Sequence, residues 1–398
     1  DNLLGKAIDW VMNPTQGPEL SLHLTRSTEI VASRTDLDQS QETYDVDGPD
    51  GTLNQGIYDK LLPILEQWKA QYGFVGSYYA NIGLNAPDQT TDWAISKPYY
   101  DALIAMGNEI GSHSYTHPEN TNYLLPTVVT QAMLDAATGQ SGTAAATSES
   151  PAGASSIYGY SLTVDKYNAI LSEALAASDP MTLDQTHKDV LMATFQFQFG
   201  TAGTTLAAAL GLTSIPDVAV PGMPESLATA RDIMQYVTDY LSGGASMIGA
   251  GYPGAIGYLS PTDQGAVYIA PNMAFDFTLT DWLKLSPDAS IAEWAKELAS
   301  LTTNSDMPII VWPWHDYGPT EWSLDEGVPS NDTLAMFTSV IAAAYSAGAE
   351  FVTLDDLAHR VKYFEQTDFG YSVNGDLITV SAVPPSGGLG TFAIDFDS

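Results

Sequence analysis

The sequence contains no cysteine in 398 residues, which excludes disulfides and thiolate metal sites and leaves imidazole and carboxylate to hold any ion. It is also poor in positive charge: 13 Lys and Arg stand against 48 Asp and Glu, a formal net charge of −35. A nucleic-acid duplex or an anionic membrane surface needs clustered Lys and Arg to displace counterions, so neither is expected as a partner. No apolar run approaches the roughly 18 residues needed to cross a bilayer. Charged residues reach only 15%, below the roughly 25% of an ordinary soluble domain. Apolar residues are present in ordinary measure at 44%, enough for a large core and too many for intrinsic disorder.

The length allows two or three domains, or one barrel with insertions. The first residues, Asp-Asn-Leu-Leu-Gly-Lys, lack signal-peptide character and read as a mature or trimmed start. From residue 19 the text alternates strand-like and helix-like runs. Residues 20–25 and 28–32 read as strands, followed by a polar loop as far as Asn54. Ile57–Tyr72 places apolar residues at helical spacing, 73–82 is rich in β-branched and aromatic residues, and 94–106 reads as a helix closed by Gly107. Residues 109–111 start a further short strand.

The stretch 123–213 is Ala-rich and helical, interrupted by a low-complexity loop at 141–156, and reads as an insertion between barrel units. Alternation resumes with strands at 218–221, 266–269, 307–312 and 350–354 and helices at 227–241, 291–301, 333–347 and 355–363. Repeated strand–helix units imply a parallel sheet, here an α/β fold of the distorted (β/α) barrel type over 1–362. After Tyr363 the Asn374-Gly375-Asp376 hairpin signal makes 363–398 a small β-rich extension.

Six histidines are present. His23, His187 and His359 sit in ordinary strand or helix text and read as structural or surface imidazoles. His113 and His117, in GSHSYTHPEN directly after a short apolar strand, can converge on one ion from a strand end. Ser114 occupies the position where a zincin carries glutamate, and there is no His-x-His of an amidohydrolase barrel. His315, in PIIVWPWHDYG, ends a clear strand, where barrel enzymes place catalytic groups; hydrogen bonding by Asp316 in a purely structural role is the alternative. A third ligand has to be a carboxylate or another histidine. Asp36 and Asp38 follow the strand-like TEIVASRT and share one side of an extended backbone. Asp45 and Asp47, nine residues on, are the competing pair, and either pair can instead be a solvated acidic loop.

These blocks resemble a known family. GNEIGSHSYTHPEN looks like the His-[Ser/Thr]-x-x-His motif of the polysaccharide deacetylases, the NodB-homology domains of carbohydrate esterase family 4. YGFVGSYYANI is similar to the segment preceding it in that family, and MPIIVWPWHDYG with EFVTLDDLAHRV resembles the last catalytic strand and closing helix. In order and spacing the resemblance covers 30–361. Asp-x-Asp stands where the family usually has Thr-Phe-Asp-Asp, which is closer in style to exopolysaccharide deacetylases such as the Pel deacetylase domain and the fungal galactosaminogalactan enzyme. The Arg-containing third motif has no match, with VPGMPES in its place, and FDFTLTDW faintly resembles the fourth, making Asp281 a candidate to orient the catalytic histidine.

The resemblance implies a divalent ion, zinc by preference, held by Asp38, His113 and His117, with Asp36 as the base toward water and His315 as the acid toward the departing amine. The oxyanion would rest on the ion and a backbone N–H near the third motif. The implied substrate is an amino-sugar polysaccharide and the implied setting secreted or periplasmic. A glycan-binding barrel without turnover, an O-acetyl esterase and a two-carboxylate glycosidase are the alternatives. Tyr78, Tyr79, Tyr115, Tyr252, Trp312, Trp314, Tyr317 and Trp322 lie near these blocks and serve either sugar stacking or the barrel core. The −35 charge fits attraction of a polycationic product or adaptation to a saline habitat.

Overall fold

The computed structural model describes residues 19–38, 51–83, 91–140, 154–215, 217–222, 227–236, 240–242, 257–258, 268–269, 273–303, 308–323, 328–385 and 392–397. Strands β1 (Glu19–His23) and β2 (Glu29–Leu37) come first, followed by α1 (Ile57–Tyr72), β3 (Ser77–Ala80), α2 (Trp93–Ala105) and β4 (Glu109–Ser112). A helical segment follows: α3 (Gln131–Ala137), α4 (Val164–Leu175), α5 (Gln185–Met192), a π-helical turn at Gln196–Thr201, and α6 (Ala202–Leu210). Then come β5 (Asp217–Ala219), α7 (Leu227–Ile233), β6 (Tyr240–Ser242), β7 (Gly257–Tyr258), β8 (Tyr268–Ile269), α8 (Pro287–Thr303) and β9 (Ile309–His315). The chain continues through α9 (Leu334–Ala347), β10 (Ala349–Val352), α10 (Leu354–Gln366), β11 (Asp368–Asn374), β12 (Leu377–Val383) and β13 (Ala393–Asp397).

The sheet is built on β2, whose nine residues are all buried. β9 pairs in parallel along one edge of it, while β10 faces residues 29–32 and β3 faces residues 34–37 on the other. Parallel pairing continues from β3 through β4, β5 and β6 to β8, where the short β7 adds an antiparallel edge. Past β8 the Met273 N–H donates to the Val311 carbonyl at 2.9 Å, so the chain runs back beside β9. The result is an open, distorted (β/α) barrel, the fold class expected from the alternation of strands and helices.

Side-chain alternation gives the sheet two faces. Val31, Leu37, Tyr78, Ile110, Ile310, Trp312 and Trp314 point outward into one large apolar layer. Against them pack Leu61, Leu65 and Trp68 of α1, Leu103 of α2, Trp294 of α8 and Phe337 of α9. Ile30, Ala32, Tyr79, Ala219 and Val311 point inward, where Leu354, Leu357, Ala358 and Val361 of α10 join them and close the lumen at the strands' N-terminal ends. Gly111 lies on the inward face because a Cβ there would stand 2.4 Å from the Tyr79 ring, which crosses the lumen. Within the helical segment, α3, α4 and α5 share a core of Leu134, Tyr167 and Val190 with Ile157, whereas α6 packs into the barrel's outer layer.

Several boundaries differ from the sequence reading. The strand expected at 28–32 runs on to Leu37, because Arg34 and Asp36 neutralise each other inside the lumen. The strand expected at 73–82 is confined to Ser77–Ala80. The helix expected at 227–241 stops at Ile233, followed by a 3-10 turn at Met234–Tyr236, since pairing with β5 claims Tyr240–Ser242. β1 lies outside the barrel and pairs antiparallel with β13. The Asn374-Gly375-Asp376 signal is a hairpin turn joining β11 and β12, with Gly375 at φ 61°. Most of the low-complexity loop, at 141–153, lies outside the described residues.

The lumen floor carries buried acid. Glu109 Oε2 accepts hydrogen bonds from Ser77 Oγ at 2.8 Å and from the Asp355 N–H of α10 at 2.9 Å. Asp217 Oδ2 accepts from Tyr79 Oη at 2.9 Å, while Asp217 Oδ1 and Glu109 Oε1 are buried with no donor. Burial first, and the neighbouring Glu109 second, push the Asp217 carboxyl well above the usual range. A proton shared between the two acids satisfies both oxygens. A folded acid with a raised pKa stabilises below the unfolded value, and that contribution is lost as pH rises toward the folded one. Thermal unfolding of the wild type is therefore expected to move to lower temperature as pH rises from about 4 toward neutrality. Asp217→Asn should flatten that slope; an unchanged slope in the variant would dismiss the shared proton.

Candidate metal centre

The inward face of β2 carries Arg34 and Asp36, two residues apart and therefore on one side of the strand, and Asp38 follows one residue past its end. Asp36 sits directly opposite His315 in the β2–β9 register. His113 follows β4, whose pairing with β3 brings it beside the end of β2. Three strand ends thus deliver one cluster at the C-terminal mouth of the barrel.

Asp38 Oδ1 lies 3.1 Å from His113 Nε2 and 3.3 Å from His117 Nε2, and Asp38 Oδ2 lies 3.4 Å from His315 Nε2. His113 Nδ1 is 2.9 Å from the Ala219 carbonyl, which can only accept, so in the neutral ring that a metal ligand requires Nδ1 carries the proton and Nε2 presents a lone pair to Asp38. Asp38 Oδ1 is buried and has no hydrogen-bond donor. A lone pair and a carboxylate oxygen at this distance repel unless a cation lies between them. A tetrahedral zinc ion with bonds of about 2.0–2.1 Å keeps its ligand atoms about 3.3 Å apart, so these three residues fit a divalent ion.

A second grouping of acids and imidazole, Asp36, Asp38 and His315, is also close enough to be considered. Asp36 is committed elsewhere: its Oδ1 accepts from Arg34 Nε at 2.7 Å and its Oδ2 from Arg34 Nη2 at 2.6 Å. Burial disfavours the Asp36 anion, but Arg34, and beyond it His113 and His315, outweigh burial and hold its pKa below the ordinary value. His315 Nδ1 lies 2.6 Å from Asp276 Oδ1, and the His315 backbone N–H donates to Asp276 Oδ2 at 3.0 Å. Burial opposes the His315 imidazolium, yet Asp276 and Asp38 push its pKa up to about 10. His315 is held by Asp276 and meets the other oxygen of Asp38, whereas His113 and His117 turn two Nε2 atoms on the single oxygen Asp38 Oδ1, so their grouping is the one suited to an ion. Burial opposes the His117 imidazolium, but Asp38 pushes its pKa up, so an ion bound there would displace a proton. Burial disfavours the Asp38 anion, but His117 and His315 outweigh burial and hold its pKa well below the carboxylate range.

Sequence reasoning passed over Arg34 and assigned the orienting role to the wrong aspartate. Asp281 is substantially exposed, in a π-helical turn at Thr278–Trp282, and lies 3.8 Å from Lys284, whereas Asp276, fully buried two residues before that turn, is the residue bonded to His315. The motif match pointed to the Asp-Trp pair; the buried Phe-Asp-Phe was the available signal. Arg34 was legible as the lumen residue one strand period before Asp36. Its guanidinium also donates to the Val220 carbonyl at 2.9 Å and lies 5.0 Å from the Phe275 ring centroid.

Of the aromatic residues named from sequence, Tyr78, Tyr79, Trp312 and Trp314 are fully buried core and offer no face to a ligand. Tyr317 stacks on His315 with centroids 4.8 Å apart, and Tyr252 lies outside the described residues. So do Asp45 and Asp47, and residues 223–226 of the VPGMPES stretch. His23, His187 and His359 each pair with carboxylates away from this cluster. Among the described residues no helix is long and apolar enough to cross a membrane.

No family model matches the chain, and no curated protein matches it. Solved structures do: the chain is similar to polysaccharide deacetylases. A protein assigned as one from Mycobacterium smegmatis is 13% identical, with 85% of this chain and 92% of that one covered at a TM-score of 0.45. The CE4 domain of a multidomain xylanase from the hindgut metagenome of Trinervitermes trinervoides is 12% identical over 84% and 92%, at 0.36. A CE4 family pseudoenzyme from Bacillus anthracis is 10% identical over 82% and 66%, also at 0.36. At such values activity has to be argued from this chain's own geometry.

The geometry separates the two aspartates of β2. Isothermal titration with Zn²⁺ is expected to show one ion per chain in the wild type and in Asp36→Asn. Asp38→Asn and His113→Ala should each weaken binding by at least about a hundredfold, as removal of a direct ligand does more than the 10–100-fold of an outer-shell change. Loss of the ion in Asp45→Asn but not in Asp38→Asn would reassign the carboxylate ligand.

Proposed function

We propose that the protein is a metal-dependent hydrolase that removes N-acetyl groups from an amino-sugar polysaccharide. One observation carries this reading: an ionised carboxylate, Asp36, and a protonated imidazole, His315, flank the same metal-competent cluster of Asp38, His113 and His117. Hydrolysis of an amide needs both, because water must lose a proton to attack and an amine leaves poorly unless it gains one.

A divalent ion, zinc being the best match to two imidazoles and a carboxylate, supplies Lewis acidity toward water and the acetamide carbonyl. The chain's own residues do the rest. Arg34 keeps Asp36 anionic and aligned, so that Asp36 takes the proton from attacking water. Asp276 fixes the His315 ring through Nδ1 and leaves Nε2–H facing the cleft, where it protonates the departing nitrogen. Burial of Arg34, Asp36, Asp276 and His315 excludes competing water and strengthens these fields.

The polymer class is supported by the motif resemblance and by the surface. Phe277 stands 6.4 Å from His315, and Trp282, 43% exposed, packs edge-on against Phe277 at 5.4 Å, which provides an aromatic face beside the acid. Aromatic faces bind the apolar faces of sugar rings. We place the protein outside the cytoplasm, where such polymers accumulate; a product bearing free amines is a polycation, to which a chain of net charge −35 is complementary.

Acetate release from polymers of N-acetylglucosamine and N-acetylgalactosamine is the test. Activity is expected in the wild type, to vanish with chelator and to return with Zn²⁺. Asp36→Asn and His315→Ala should each lower kcat by about 10²–10⁴-fold, the usual contribution of a general base or acid. Activity that survives chelation would end the metal reading. Release from O-acetylated sugars alone would make the protein an esterase, new reducing ends would make it a glycosidase, and sugar binding without acetate would leave a binding barrel. Activity falling as salt rises is the expected signature of electrostatic capture, whereas tolerance or a rise would assign the acidity to a saline habitat.

A further inference from the structure

The loop that carries both histidines holds an unfavourable backbone. Ser114 at φ 81° and His117 at φ 53° are both left-handed, and neither is glycine. Inside the loop, Ser114 Oγ accepts the His117 N–H at 3.0 Å. That bond bridges three residues of the same loop and does not tie it to the barrel. On one side the Gly83 N–H, just past β3, donates to the Tyr115 carbonyl at 3.0 Å.

The side-chain tie comes from the helical segment between β4 and β5. Gln198 Oε1 accepts the Thr116 N–H at 3.0 Å, and Gln198 Nε2 donates to Thr116 Oγ1 at 2.7 Å and to the Met192 carbonyl at 2.8 Å. Gln198 is 1% exposed. Next to it, Phe197 stacks on Tyr115 with centroids 4.2 Å apart. The π-helical turn at Gln196–Thr201 sets two consecutive side chains against two consecutive loop residues. The Thr116 N–H needs an acceptor and the Met192 carbonyl a donor, which one amide supplies together; an ionised glutamate at 198 would leave the Met192 carbonyl without its donor.

We propose that Gln198 is a positioning residue of the metal centre. By clamping Thr116 it fixes the bearing of the next residue, His117, toward Asp38, and so sets the affinity for the divalent ion. The helical segment is then a working part of the site, beyond the base, acid and ligands already named. The inference rests on the ion-binding reading of Asp38, His113 and His117.

Zn²⁺ affinity, measured by competition with a chromophoric chelator well below the unfolding temperature, tests it. The expected result is wild-type binding at one ion per chain, weakened about 10–100-fold in Gln198→Ala, the usual size of an outer-shell loss. Gln198→Glu should fail to restore affinity, and Thr116→Val should weaken it with no further loss when combined with Gln198→Ala. Val190→Ala, a cavity in the core of the helical segment away from the loop, should lower the unfolding temperature and leave affinity unchanged. Co²⁺ absorption should change shape in Gln198→Ala, reporting altered ligand geometry. If Gln198→Ala binds Zn²⁺ as the wild type does, or if Val190→Ala weakens binding equally, Gln198 has no positioning role. If the wild type itself binds no ion, the fault lies in the ion reading. Should Gln198→Ala not fold, the Thr116→Val result decides, with unchanged affinity overturning the proposal.

Discussion

The buried Arg34–Asp36 pair is the interaction on which the rest depends. Both side chains are almost wholly removed from solvent, and an isolated charge in that position would cost several kcal/mol, enough on the scale of about 5–15 kcal/mol of total stability to threaten folding. Two charge-assisted bonds between them, one to the Val220 carbonyl and the ring of Phe275 offset that penalty. With the pair in place β2 can extend as a strand to Leu37, and it is this extension that lifts Asp36 and Asp38 to the mouth of the barrel. Without it the strand would end several residues lower and no carboxylate would meet His113.

The same accounting extends over the whole cluster. Arg34 faces Asp36, and the His315 ring lies between Asp38 and the buried Asp276. Asp38 Oδ1 is left without a hydrogen-bond donor at the meeting point of His113 and His117. A buried carboxylate oxygen between two imidazole nitrogens suits a cation there. Asp316 gives the contrast: buried with neither oxygen bonded, it is pushed well above the carboxylate range by burial and by Asp38, and is accommodated by holding its proton.

How much of this was legible in the sequence depended on whether local chemistry or distant pairing decided each feature. Ile57–Tyr72 was readable to the residue because its apolar spacing and the left-handed Gly73 cap are local signals. The β11–β12 hairpin was readable from three turn residues for the same reason. The end of β2 was readable only in part: the apolar run stops at Ala32, TEIVASRT carries strand character to Thr35, and the extension to Leu37 rests on the pairing of Arg34 with Asp36. The helix expected through 241 failed similarly, where a strand partner distant in sequence overrode local helical text. For the site, strand-end placement of Asp36, Asp38, His113 and His315 followed from period-two alternation. Asp276 was missed in favour of Asp281 because a motif match selected by spelling, whereas the lumen selects by burial.

The divided β2 edge explains why so irregular a sheet can hold so exact a cluster. β10 supports residues 29–32, β3 supports 34–37, and β9 spans the other side from Ile30 to Asp36. Every residue from Ile30 to Asp36 except Ser33 is therefore ladder-paired on both sides, and Asp36 inherits the rigidity of that strand, with Asp38 just beyond its end. The partners supplied by other segments, His117 from a strained loop and Asp276 from the residues just before a π-helical turn, approach that fixed strand from outside. Precision is thus concentrated at the end of β2, and the elements that bring the second imidazole need a clamp of their own. A loop with two left-handed non-glycine residues costs about 1–3 kcal/mol for each and persists only where its surroundings over-determine it, which is the service a buried amide with all three of its bonds filled can provide.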